Sequence, residues 1–69
     1  MQRYKNINDI KIGDRIMLDN STNFIKDVAR VKIIGEVLEI LDNKLIKVAF
    51  KINGIPEDVI RNIPYYMCQ

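Results

Sequence analysis

Two runs of apolar residues separated by a short polar break, in the stretch Val28 to Phe50 (VARVKIIGEVLEILDNKLIKVAF), constrain this chain more than any other feature. Ile46, Val48, Phe50 and Ile52 alternate with Lys47, Ala49 and Lys51, the period of two expected of a strand with one buried face. The preceding run alternates as well, Ala29, Val31 and Ile33 against Arg30 and Lys32, but beyond Gly35 the apolar parity moves to Leu38 and Ile40. The two runs therefore read as one long, bent β-hairpin. A three-residue loop at Asp42, Asn43 and Lys44 sets Leu41 opposite Leu45, Ile40 opposite Ile46 and Leu38 opposite Val48. It also pairs Glu39 with Lys47 on the other face, which opposite charges favour by about 0.2 to 1 kcal/mol. Carried to the far end, that register sets Glu36 against Phe50. One extra residue, with Glu36 and Val37 both facing Ala49, brings Gly35 opposite Phe50 and Ile33 opposite Ile52. The parity break thus predicts a β-bulge beside Gly35; the alternative is that glycine there only makes room for the Phe50 ring.

The rest of the chain is read around this hairpin. Met1 to Asp9 is a polar lead-in arm whose large apolar groups are Tyr4 and Ile7. Ile10, Ile12, Ile16 and Leu18 share one parity and form a first strand, interrupted by a turn at Gly13 and Asp14. Asp19 to Asp27 is rich in residues that bond their own backbone and reads as a loop, with Phe24 and Ile25 folded inward as a lid on the core. Asn53-Gly54 is a turn signal. Pro56, Glu57 and Asp58 resemble the first turn of a short helix running to Asn62, with Pro64 ending it, and Tyr65 to Cys68 forms a last strand.

The phrases IKIGDRIML, IIGEVLEILDNKLIKVAF and PEDVIRNI together resemble a Src-homology-three-like small β-barrel over about residues 7 to 67. The resemblance implies an all-β fold of about five strands, with a bent central hairpin and one short helical turn before the last strand. Bacterial members of this fold include transcription and ribosome-associated modules, chaperones and a small reductase that works as a tetramer. No functional residue carries over from any of them, and fold alone does not assign function.

A chain of 69 residues makes one domain, 1–69, and a domain this size buries only about 60% of the surface its unfolded chain exposes. With Cys68 as its single cysteine it forms no intrachain disulfide, so a second copy is the expected source of extra stability and a homo-oligomer is anticipated. The lone thiol and the lack of a long apolar run point to a cytoplasmic protein with no membrane association.

Histidine is absent, which removes the commonest general base and metal ligand. Ser21 has no visible base partner, three scattered glycines cannot form a phosphate loop, and the acids Asp14, Asp19, Glu57 and Asp58 each suit a local turn or cap. The expectation is a non-enzymatic binding module with no catalytic residues, no metal site and no cofactor. Arg30 and Lys32 on one hairpin arm, with Lys47 and Lys51 on the other, share the outward face and could follow a phosphate backbone, so nucleic acid is the first expected partner. Tyr65 and Tyr66, together with Tyr4, would stack bases beside that stripe. A net charge of +2, from 11 basic and 9 acidic side chains, permits such a partner without demanding it. The alternative is an accessory protein of the kind phages and mobile elements encode, which binds a host protein or sequesters a small nucleotide-like ligand between subunits.

Overall fold

In the computed structural model, residues 6–26, 28 and 30–69 are described; Tyr4 with most of the lead-in arm, and Ala29 in the first hairpin arm, lie outside them. Four strands form one antiparallel sheet in chain order: β1 (Arg15–Asp19), β2 (Lys32–Ile40), β3 (Leu45–Phe50) and β4 (Val59–Pro64). The expected all-β class is therefore what this sequence forms. Among the described residues four strands rather than five make the sheet, however, and it is not closed into a barrel. The C-terminal residues return to the free side of β1 through a single bridge between Leu18 and Cys68. Reciprocal bonds flank it, from the Met17 N–H to the Gln69 carbonyl at 3.0 Å and from the Gln69 N–H to the Met17 carbonyl at 2.8 Å.

The alternation of β3 buries Ile46, Val48 and Phe50 completely. These pack with Ile16 and Leu18 of β1, Ile33 and Val37 of β2, and Ile63 of β4 into the core. The hairpin turn is the one expected. The Leu41 N–H donates to the Leu45 carbonyl at 2.9 Å, and Asp42 Oδ1 accepts from the Lys44 and Leu45 amides at 2.7 and 2.8 Å. Those two amides, Lys44 first, hold the Asp42 carboxyl below its ordinary range.

Gly35 lies opposite Phe50, Glu39 opposite Lys47 and Ile40 opposite Ile46, as the parity break requires. The extra residue sits one position further along than expected: Glu36 alone faces Ala49, Val37 and not Leu38 faces Val48, and the register shifts between Val37 and Glu39, which makes Leu38 the added residue. The physical reason is the core. Placing the shift after Val37 lets that side chain bury fully, whereas Leu38 keeps 37% of its surface in solvent.

Two segments near the C-terminus exchange roles. Pro56 to Asn62 is not helical; Val59–Pro64 pairs residue for residue with β3, from Phe50 opposite Val59 to Leu45 opposite Pro64. A two-turn helix must bear the full cost of nucleation for few bonds, whereas the open side of β3 offers a complete ladder to β-branched Val59 and Ile60. Pro64 is tolerated because it ends an edge strand. The last strand expected at Tyr65 to Cys68 is instead a 3₁₀ turn, Tyr65–Met67, closed by the Cys68 N–H on the Tyr65 carbonyl at 3.0 Å.

The first strand is shorter than its parity suggested. Gly13, at φ +93°, turns the chain so that Ile10 is buried while Ile12 is 66% exposed. In the loop after β1, Ile25 packs inward as expected but Phe24 remains 41% exposed.

Cys68 is buried without a disulfide partner, and desolvation pushes its thiol up to about 12. A thiolate there is disfavoured at any physiological pH. Alkylation of the native protein at pH 8 is therefore expected to be slow and to accelerate strongly in urea, as followed by mass spectrometry. Rapid native-state labelling would contradict this burial.

Candidate binding surface on the outer sheet face

Because β-strand side chains alternate, the sheet that buries Ile16, Ile33, Val48 and Ile63 turns a second face outward. Register builds that face in cross-strand rows. One row runs Arg15, Glu36, Ala49, Ile60, and the next begins Met17, Ile34. Lys51 follows β3 and sits beside Ile34, its N–H donating to the Ile34 carbonyl at 3.4 Å. Lys32 lies two residues before Ile34, opposite Asp19. Glu39, Lys47 and Asn62 form a separate row towards the hairpin turn.

Three adjoining hollows of about 270, 290 and 310 Å³ share Lys51. The first is walled by Arg15, Ile34, Glu36 and Ala49; the third by Val31, Lys32, Ile34 and Ile52. Each is at the lower limit of volumes that enclose a small molecule, roughly 300 to 1,000 Å³. Ile34, which lines both the first and the third, is 59% exposed. The hollows are open depressions on the sheet face and not enclosed cavities.

The six residues singled out from sequence separate into two groups. Lys32 and Lys51 come together at the hollows. Arg30 is exposed just ahead of β2 and lines none of them. Lys47 is on the same face but forms an ion pair with Glu39, Nζ to Oε2 3.5 Å, as the hairpin register requires. Tyr65 and Tyr66 lie at the other end of the sheet, where the Tyr65 N–H donates to the Lys44 carbonyl at 2.9 Å. Their rings meet edge to face, 5.6 Å apart at 84°. Tyr65 packs against the core while Tyr66 is 49% exposed. From Leu45, beside this pair, to Lys51 is about 20 Å of strand. The rings and the Lys32/Lys51 cations therefore do not form one site.

Arg15 was not singled out, although its parity, opposite to that of Ile16 and Leu18, puts it on the outer face. Among the described residues, Arg15, Lys32 and Lys51 form no ion pair. Two of the four acids noted in the sequence have local tasks: Asp14 Oδ2 accepts from the Lys11 amide at 2.9 Å, and Asp19 Oδ1 from the Ser21 amide at 3.0 Å.

No protein-family model, curated protein or solved structure matches this chain. What the surface does must be read from its own chemistry.

Proposed function

We propose that this protein is a small non-enzymatic binding module that takes an anionic macromolecule on the outer face of its sheet, at the end centred on Lys51. The observation that carries the reading is the cluster of Arg15, Lys32 and Lys51 around adjoining hollows, none of them neutralised by an ion pair among the described residues. Arg15 and Lys32 stand on paired strands and the Lys51 backbone is bonded to one of them, which lowers the ordering cost of meeting a polyanion, and each contact that displaces a counterion adds salt dependence. Nucleic acid, the partner anticipated from the sequence, fits the charge of this cluster. An SH3-like architecture is supported by the bent hairpin, the 3₁₀ turn at Tyr65–Met67 and the bridge from Cys68 back to Leu18.

The test is binding of two polyanions, a labelled mixed-sequence oligonucleotide and poly-glutamate, measured by anisotropy at low and high salt. At least one is expected to bind and to weaken as salt rises. The double substitution Lys32→Glu, Lys51→Glu should abolish that binding with little change in melting temperature, since both side chains are exposed. If neither polyanion binds at low salt, the reading fails.

A further inference from the structure

We infer that the macromolecule accepted by this face is a protein segment presenting apolar side chains flanked by carboxylates, and not a nucleic acid. The inference rests on the anion-binding reading above and adds the chemistry of the partner. Apolar side chains stand among and beside the three cations: Ile34, 59% exposed, lines the hollows with all three, Val31, 52% exposed, lines one with Lys32 and Lys51, and Ile60, 49% exposed, continues the face beyond Ala49 on the edge strand. An apolar centre with a charged rim is the anatomy of a protein–protein contact.

Nucleic acid fits this ground poorly on two counts. A sugar–phosphate strand laid across Ile34 and Ile60 would bury apolar carbon against hydrated oxygen and gain little from it. The rings that could stack bases, Tyr65 and Tyr66, belong to the far end of the sheet.

The dimensions suit a short segment. Four strands span about 14 Å between the outer two, and five or six residues of strand run about 17 to 20 Å. A face of that size accommodates one extended stretch of chain and falls short of the roughly 800 Å² per partner of a stable globular interface. Carboxylates on such a segment would meet Arg15, Lys32 and Lys51 while its apolar side chains cover Ile34 and Ile60.

The experiment compares three probes on the intact protein by calorimetry: a short synthetic peptide with apolar residues at i and i+2 flanked on both sides by acidic residues, so that an extended backbone turns both kinds of side chain to one face, the same peptide with its apolar residues changed to serine, and a mixed-sequence oligonucleotide of equal charge. The apolar peptide is expected to bind most tightly, with at least about a tenfold loss for the serine peptide and for the Ile34→Ser variant. Ile34→Thr, which keeps the β-branched shape suited to a strand, is the second variant should the serine form fold poorly. Equal binding of the two peptides would overturn the inference. So would oligonucleotide binding that Ile34→Ser leaves unchanged, and in that case the anion-binding reading would stand. Binding of none of the three at low salt would remove both.

Discussion

Gly35→Ala is expected to destabilise the domain by more than about 3 kcal/mol, enough to leave much of the protein unfolded at physiological temperature. A Cβ added at this position would lie 2.5 Å from Val48 Cγ1, 2.7 Å from Phe50 Cδ1 and 2.9 Å from the Ala49 carbonyl oxygen. The first two atoms belong to side chains with no exposed surface, and the third is backbone of the strand paired with β2. None can withdraw without opening the β2–β3 ladder or displacing the Phe50 ring from the core. Gly35 does not adopt a positive φ, so the cost is one of volume and not of backbone conformation. Gly54→Ala is the matched control: its φ is +87°, but nothing lies within 4 Å of an added Cβ. It should lose only about 1 kcal/mol, through strain in the turn. Urea unfolding of the two variants measures the difference directly. In thermal melts Gly35→Ala should fall by more than about 12 °C, taking roughly 4 °C or more per kcal/mol for a domain of this size. A drop of only a few degrees would mean that β2 and β3 have room to separate there, and the close packing at Gly35 would be wrong.

The same glycine explains how far the sequence could be read. Parity along Val28 to Phe50 requires a phase change between Gly35 and Leu38, but it cannot say which residue is the extra one, because moving the bulge by one position exchanges two apolar residues, Val37 and Leu38, opposite Val48. Burial of Val37 decides it, and burial depends on β1 and β4 as well as on the hairpin. At Pro56 to Asn62 the apolar spacing of Val59, Ile60 and Ile63 fits a short helix and a strand equally, so local signals could not choose. The unpaired side of β3 chooses the strand, a tertiary fact. The outer face was legible for the same reason that the strands were: Lys32, Lys47 and Arg15 hold the parity opposite to the core residues. What alternation cannot give is position along the strands. That is why Tyr65 and Tyr66 read as neighbours of the cations although register puts them at the far end.

Replacing Asn20 should produce the second large effect, although in the sequence it is one polar residue among many in DNSTNFIKD. Its side chain has no exposed surface, and it ties the β1–β2 connection together. Oδ1 accepts from the Ile25 amide at 2.7 Å, while Nδ2 donates to the carbonyls of Ile25 at 3.1 Å and Val28 at 3.3 Å. An amide suits this position because it supplies an acceptor and two donors on one planar group. Asn20→Ala leaves an N–H and two carbonyls without these partners, at about 1 to 3 kcal/mol for each that water cannot reach, and should cost about 3 kcal/mol in total. Asn20→Asp is the sharper test. The carboxylate can still accept from Ile25 but turns an oxygen towards two carbonyls, so burial and these neighbours favour its protonated form and raise its folded-state pKa above the unfolded value. The folded state then holds more protons than the unfolded state through that interval. Stability relative to the parent should be best below pH 4, where the acid is protonated in both states and can donate one bond, and should fall as pH rises towards neutrality. Urea midpoints of parent and variant at pH 4 and pH 7 measure this. A difference that does not widen at the higher pH would mean that residue 20 is open to water and that Ile25 and Val28 are held inward by something other than this amide.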